Sequence, residues 1–281
     1  MNTSLSTTEF NLFRKYIAEQ CGIEIEEDKA YLIESRFSKL LADSGLSSFE
    51  ELYNRITGQA DRRMAEKIID AITTNETLWF RDKTPWDILE NVLLPKYIDE
   101  FRSGKRLRVR IWSAACSTGQ EPYSIAMMID NFLAKNLIKD VTLSQFEILA
   151  TDISTTVLEI AQNGKYSSVS IIRGLDQFYK DKYFHNQVQT WELAEKIKNV
   201  VRFQQLNLQD SFQSLGEFDI VFCRYVMIYF SNQLKQEIAN KMAGLIKPGG
   251  AFFIGSSELF SDTQNSFETV SYQNGIYYQR R

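Results

Sequence analysis

The feature that most limits how this chain can fold is a change of hydrophobic period partway along it. Up to residue 73, apolar residues recur at helical spacing. Phe10, Phe13 and Ile17 fall at i, i+3 and i+7, and Ile33, Phe37 and Leu40 at i, i+4 and i+7. Met64, Ile68, Ile69 and Ile72 continue the pattern, while Asp43–Gly45 and Thr57–Gly58 punctuate it as turns. From Leu107 onward, short apolar runs alternate with helical stretches. Arg108–Trp112, Phe146–Ala150, Phe218–Phe222 and Ala251–Ile254 read as strands; Glu121–Ala134, Ser154–Gln162 and Asn232–Ile246 read as helices. Lys247-Pro-Gly-Gly250 reads as the turn between the last helix and the last strand.

Such alternation builds βαβ units around a mainly parallel sheet. The expected organisation is an all-α domain over 1–73, a linker and helix over 74–106, and an α/β domain over 107–281. The linker helix covers Thr84–Phe101, with Thr84 at a capping position and Pro85 at the first helical position. Residues 164–203 interrupt the alternation. Gln187–Trp191 and Ile197–Phe203 are candidate antiparallel strands of a small inserted β-subdomain.

Charge narrows the partners. The net charge is −4, and residues 1–73 carry all of it, with 9 Lys/Arg against 13 Asp/Glu. A basic surplus of the kind that neutralises phosphates is missing, which speaks against nucleic acid. The balanced remainder suggests a monomer. Cys21, Cys116 and Cys223 are widely spaced and fit neither a disulfide framework nor a metal site, so no metal is expected and a reducing cytoplasm is the expected location. The N-terminus has no signal-peptide layout, and the apolar runs are too short to insert into a membrane.

In an open parallel sheet, ligands bind beyond the carboxyl ends of the strands. The first strand runs into Ser113-Ala-Ala-Cys-Ser-Thr-Gly-Gln-Glu-Pro-Tyr123, whose small residues permit close backbone approach to a ligand; tight packing alone requires the same. The second strand ends in Thr151-Asp152. Asp152 either accepts from ribose hydroxyls or caps the next helix, and beside the small-residue turn the ribose reading is preferred. Without a full G-x-G-x-x-G run, a nucleoside cofactor lacking pyrophosphate fits better than a nicotinamide one, and S-adenosylmethionine is such a cofactor. Arg224, just past an apolar strand, is difficult to bury unpaired and is expected to point into the cleft. Thr73–Arg81 reads from spacing alone as a helix end and linker. His185, the single histidine, is expected at the surface.

TTNETLWFR resembles the TTN-x-T-x-FFR signature of the CheR chemotaxis receptor methyltransferases. WSAACSTGQEPYSIAM is similar to that family's cofactor turn, ATDIS to its ribose-binding strand end, and FQQLNL and FDIVFCRYVMIYF to its adenine-side and fourth-strand segments. The resemblance runs in order from about residue 10 to 260. It implies a Rossmann-like class I methyltransferase domain that binds S-adenosylmethionine and releases S-adenosylhomocysteine. It also implies methyl transfer to glutamate carboxylates on the helical cytoplasmic domain of methyl-accepting chemotaxis receptors.

Carried over residue by residue, the resemblance implies that Asn75, Thr77 and Arg81 reach the cofactor, Arg81 at its methionine end. Glu121 would face the methionine and ribose, Asp152 the ribose hydroxyls, and Asn207 and Leu208 the adenine. Arg224 and Tyr225 would close the pocket, and Tyr229 would stand near the transferred methyl. The family usually has Asn where this chain has Tyr225. Lys29, Arg36 and Lys39 fall within about 80° of one helix face and are the candidate receptor-binding residues; an ordinary solvated face is the alternative. Between Tyr183 and Phe203 there is no glycine, unlike family members that bind a receptor's C-terminal pentapeptide, so docking independent of that peptide is expected. Two other functions fit less well: methylation of another acceptor, and a non-catalytic module that binds the cofactor or its product. The altered residue at Tyr225 favours the latter, while retention of Arg81, Asp152 and Tyr229 opposes it.

Overall fold

The computed structural model describes residues 4–58, 61–258, 260, 264–273 and 275–281. The chain opens with helices α1 (Thr7–Cys21), α2 (Ala30–Ser44), α3 (Phe49–Gly58) and α4 (Arg62–Ile72). Local chemistry sets the limits of α1. Ser6 caps its start in a reciprocal capping box with Glu9, and Gly22, at φ 74°, ends it in the left-handed conformation. The periodic apolar residues meet in one core in which Phe13, Ile17, Ile33, Phe37, Phe49, Leu52 and Ile68 are fully buried. Each contributes about 1.5–3 kcal/mol of apolar transfer free energy. Phe13 also meets Phe37 edge-on at 5.2 Å.

The segment from Thr73 to Lys83 lies in no regular element. It is held by Trp79, whose main-chain amide donates to Arg173 O at 3.1 Å and whose indole donates to Ser170 O at 3.0 Å. A Cβ at Gly174, φ 92°, would lie 2.3 Å from the Trp79 carbonyl, so this crossing needs glycine. The expected linker helix is divided into α5 (Thr84–Ile88) and α6 (Leu94–Arg102) by a π turn over Leu89–Leu93. Pro95 explains the break. It has no amide for the carbonyl four residues earlier, and Leu94 N donates instead to Leu89 O. Thr84 is the first helical residue; Lys83 occupies the cap, without a side-chain bond.

The α/β half follows as β1 (Val109–Ala114), α7 (Gln120–Lys135), β2 (Phe146–Asp152), α8 (Thr155–Asn163), β3 (Lys165–Ser167), α9 (Ser168–Ile172), α10 (Gln177–Tyr183), β4 (Phe184–Gln187), β5 (Thr190–Leu193), α11 (Glu195–Lys198), β6 (Val201–Gln205), β7 (Phe218–Cys223), α12 (Asn232–Ala243), β8 (Ile246–Phe253), β9 (Phe267–Tyr272) and β10 (Gly275–Arg280). Among the described residues the main sheet has the order β6-β2-β1-β7-β8-β10-β9. Its first five strands are parallel, and β10 runs antiparallel to both β8 and β9. β7 is buried at every position, as a central parallel strand covered on both faces must be. The chain winds outward from β1 through β2 to β6, then returns to β7 on the other side of β1. The topological switch point therefore lies at the carboxyl end of β1.

Three assignments read from the sequence are corrected. Gln187–Trp191 is not one strand: it spans the turn between β4 and β5, with Gln187 opposite Thr190. Val201–Gln205 is not an antiparallel strand of the insertion: it pairs parallel with β2, Ile148 opposite Val201 and Asp152 opposite Gln205. The inserted sheet is β3-β5-β4, and Ile197 lies in α11. As an edge strand of the main sheet, β6 alternates: Val201 is buried and the Phe203 ring meets Tyr123 at 5.5 Å, while Arg202, Gln204 and Gln205 are exposed. Likewise, Lys247–Gly250 is not a free turn. The last helix stops at Ala243, and β8 takes in Ile246–Phe253, with a register shift that places Ile246 opposite Phe218 and Ala251 opposite Ile220. The Pro-Gly-Gly run is thus accommodated as an irregularity within the strand.

Candidate active site

The carboxyl ends of β1, β2 and β7, the Thr73–Arg81 segment and the end of α1 enclose a cleft of about 950 Å³, counting its open mouth. The turn after β1 makes it possible. Ala115 (φ 56°), Ser117 (φ 50°) and Gly119 (φ 92°) alternate into the left-handed region and coil the backbone before α7 begins. Ala115, Cys116 and Ser117 present small side chains to the cleft.

Asp152 anchors this turn. One carboxylate oxygen accepts from Ser117 N at 2.8 Å and the other from Ser154 N at 3.1 Å. The cap of α8 is Ser154, which accepts from Val157 N at 3.3 Å. Each oxygen of Asp152 keeps a further lone pair for a hydroxyl donor. Burial raises its pKa, opposed by the amides of Ser154, Ser117 and Ile153.

On the opposite wall Arg224 lines the cleft as expected, yet it is buried and paired. Nη1 donates to Glu121 at 2.8 Å; Nη2 donates to Asp82 at 2.7 Å and to the Arg81 carbonyl at 2.6 Å. Glu121, in the first turn of α7, accepts also from Ser113 Oγ at 2.7 Å. Two carboxylates around one guanidinium satisfy a charge that could not stand alone there. Tyr225 follows at φ 59°, a left-handed conformation that Asn tolerates better than Tyr. Its amide donates to Glu258 at 2.7 Å, and its hydroxyl bonds to Asp82 and to Ser256 Oγ. The Arg81 guanidinium carbon lies over its ring, 3.4 Å from the centroid.

Asn75, Thr77, Arg81, Glu121, Asp152, Asn207, Leu208, Arg224, Tyr225 and Tyr229 all line this one cleft. Two are held by bonds the sequence does not suggest. The Asn75 carbonyl accepts from Ser117 Oγ at 3.0 Å, and the Asn207 amide donates to Gln20 O at 2.8 Å. Tyr229 accepts Glu24 N at its carbonyl, at 2.9 Å, and Ile23 forms an isolated bridge with Phe230. Cys21 and Ile23 thereby become part of the wall. No sequence signal joins them to the cleft. Asp82 and Glu258 were also not singled out. Asp82 directly follows Arg81, and Glu258 lies just past the end of β8, where the rule of ligands beyond strand ends could have pointed to it.

Lys29, Arg36 and Lys39 lie outside the cleft. Arg36 donates to the carbonyls of Ala71 (3.3 Å), Ile72 and Thr73 (3.2 Å) and to Thr74 Oγ1, so its charge closes the end of α4. Lys29 pairs with Glu26 at 2.7 Å, and Lys39 is exposed. His185 is exposed on β4. Burial, with the Asp152 and Glu121 carboxylates nearby, pushes the Cys116 thiol well up, so this cleft cysteine is a poor nucleophile. Among the described residues no helix is long and apolar enough to cross a membrane.

The chain matches two family models in series: the CheR methyltransferase all-alpha domain over residues 8–73 and the CheR methyltransferase SAM binding domain over residues 75–276. It is 43% identical over 279 residues to chemotaxis protein methyltransferase Cher2 of Pseudomonas putida, covering 99% of this chain and 100% of that one. It is 41% identical, with the same coverage, to chemotaxis protein methyltransferase 1 of Pseudomonas aeruginosa. Among solved structures, an O-methyltransferase family protein from Burkholderia thailandensis matches with 15% identity and a TM-score of 0.36, over 81% of this chain and 52% of that one. A helical domain followed by a cofactor cleft at the switch point of a parallel sheet, matched end to end by these relatives, places the chain in the CheR family of S-adenosylmethionine-dependent chemotaxis methyltransferases.

Proposed function

We propose that this protein esterifies glutamate side chains on the helical cytoplasmic domain of methyl-accepting chemotaxis receptors. Bound S-adenosylmethionine supplies an electrophilic methyl group on a sulfonium with a neutral thioether as leaving group. The residues present fit that molecule: Asp152 keeps acceptor capacity for ribose hydroxyls, and the Ala115–Ser117 turn leaves room beside it. Asn207 and Leu208 border the adenine end, and Glu121 with Arg224 forms the wall beside the methionine portion.

The observation that carries the reading is the character of the cleft's functional groups. Arg81 and Tyr229 line it, and His185, the single histidine, is exposed on the inserted sheet. An acceptor that had to lose a proton would call for a base. A glutamate carboxylate, with an ordinary pKa near ~4.3, is already ionised and needs none. The work left to the protein is placement and charge. Arg81 offers guanidinium donors to the cofactor's carboxylate at its methionine end, and Tyr229 flanks the path to the methyl. No proton moves in the ester-forming step.

The short β4–β5 hairpin, in which Gln187 pairs with Thr190 across two loop residues, supports docking without a C-terminal pentapeptide. Lys39, exposed on α2, and Lys29, paired with Glu26 at the start of that helix, are the parts of the proposed receptor-binding face not committed to closing α4. We take the working unit to be a cytoplasmic monomer.

The deciding experiment transfers labelled methyl to a receptor signalling-domain fragment and then applies mild base. Label released as methanol supports a carboxyl ester. Label that survives base moves the acceptor elsewhere, and no transfer despite tight cofactor binding favours a non-catalytic module.

A further inference from the structure

The geometry points to Tyr225 as a positioning residue: its ring is the platform that fixes the Arg81 guanidinium at the cleft wall for the cofactor's carboxylate. This rests on the reading above that Arg81 serves the methionine end of the cofactor.

Arg81 has little else to hold it. The one hydrogen bond of its side chain among the described residues is a long one, Nη1 to the Glu76 carbonyl at 3.4 Å, and the residue is half-buried. A guanidinium has five N–H donors in a plane. A Cζ this close to the ring centroid leaves no room for the guanidinium to stand on edge, so its plane must lie along the ring, with the edge where all the donors point left open to a carboxylate. The 3.4 Å separation from the Tyr225 centroid is contact distance for this stacking.

The platform is itself fixed from three sides. The Tyr225 hydroxyl bonds to Asp82 and to Ser256 Oγ, its amide donates to Glu258 at 2.7 Å, and Gly255 N donates to the same Glu258 oxygen at 2.7 Å. Asp82 is in turn held by Arg224 at 2.7 Å. The ring therefore cannot swing away without breaking bonds to both the linker and the end of β8. A left-handed Tyr is strained, and this anchoring opposes the strain. An Asn at this position has no aromatic face, so this arrangement of Arg81 belongs to the chain's own tyrosine.

The test compares two ligands by calorimetry on the full chain. S-Adenosylhomocysteine carries the carboxylate, and 5′-methylthioadenosine has the same nucleoside and thioether without it. Tyr225→Leu removes the aromatic face while keeping bulk and a comparable left-handed strain; Tyr225→Phe keeps the face. We expect Tyr225→Leu to weaken S-adenosylhomocysteine about 5- to 20-fold and leave methylthioadenosine unchanged. Tyr225→Phe should return affinity toward the wild type, and Tyr225→Leu should add nothing to Arg81→Ala. Equal weakening of both ligands, additive effects, or no effect of Tyr225→Leu would overturn the platform. If Arg81→Ala still weakens S-adenosylhomocysteine alone, only the platform fails. If Arg81→Ala is also without effect, the role assigned to Arg81 falls with it.

Discussion

The side-chain amide of Asn207 donates to the main-chain carbonyl of Gln20 at 2.8 Å, so a residue lining the cofactor cleft also binds the last turn of α1. Its Oδ1 accepts from Gln209 N at 3.1 Å, and the Gln209 side chain reaches Ala18 O at 3.2 Å. Removing Asn207 should therefore loosen the helical domain and the cleft together. We expect Asn207→Ala to cost about 1–2 kcal/mol of stability and to weaken S-adenosylhomocysteine. Hydrogen exchange should rise at the amides from Ala18 to Ile23. Weakened binding with unchanged exchange there would show that Asn207 acts on the ligand alone.

Arg224 offers a second test. Replacing it with Met keeps much of its volume but leaves Glu121 and Asp82 facing each other without the cation. The expected loss is about 3 kcal/mol, the lower end for breaking a buried pair, because Asp82 stays partly exposed. Urea unfolding measures it, and adding Glu121→Gln should recover part of the loss. A loss within the ~0.5 kcal/mol usual for surface changes would mean that water replaces the guanidinium.

Asp152 gives a pH dependence whose sign follows from its environment. Burial raises its pKa in the folded protein above the unfolded value, with the Ser154 and Ser117 amides opposing. Between those two values the folded state holds the proton and the unfolded state does not. This residue's contribution to stability therefore falls as pH rises through that window. Melting curves of wild type and Asp152→Asn should show the wild type losing ground relative to the variant as pH rises above the ordinary aspartate value of about 4. Parallel curves would count against it. Affinity for S-adenosylhomocysteine should run the other way in the wild type, weakening as acid removes an acceptor.

Cys21 lies in the cleft wall with its thiol donating to Ile17 O at 3.2 Å, and burial pushes its pKa up to about 11. At neutral pH it carries roughly a hundredth of the thiolate of a cysteine at the ordinary value. Iodoacetamide should label it slowly, and S-adenosylhomocysteine should slow it further by closing the wall. Fast labelling that ignores ligand would show that α1 separates from the cleft in solution.

The parts of the fold set by local pattern were legible. The helical period before Thr73 and the strand–helix alternation after Leu107 were sufficient, because each element buries its own stripe or face. What failed depended on partners far away in sequence. Val201–Gln205 looks like any short alternating strand, and only its pairing with β2 decides that it leaves the insertion. The residues at the strand ends were findable because the switch point of a parallel sheet is a general ligand position. The Thr73–Arg81 segment was legible only through its resemblance, since a polar linker shows no period. Arg36 shows the opposite failure. A cation on a helix face reads as solvent-exposed, and only the folded chain reveals that three carbonyls take it up.

The bridge between Ile23 and Phe230 has a consequence for how the molecule is made. Synthesis delivers α1 long before the strand end that completes the wall beside it. The helical domain has its own core and can fold as it emerges. Its edge at Cys21 and Ile23 must nevertheless stay uncovered on the ribosome until Arg224–Phe230 has followed. The cleft lacks one wall through that interval, so a cofactor that needs both sides can add its binding energy only after the two ends of the chain have met.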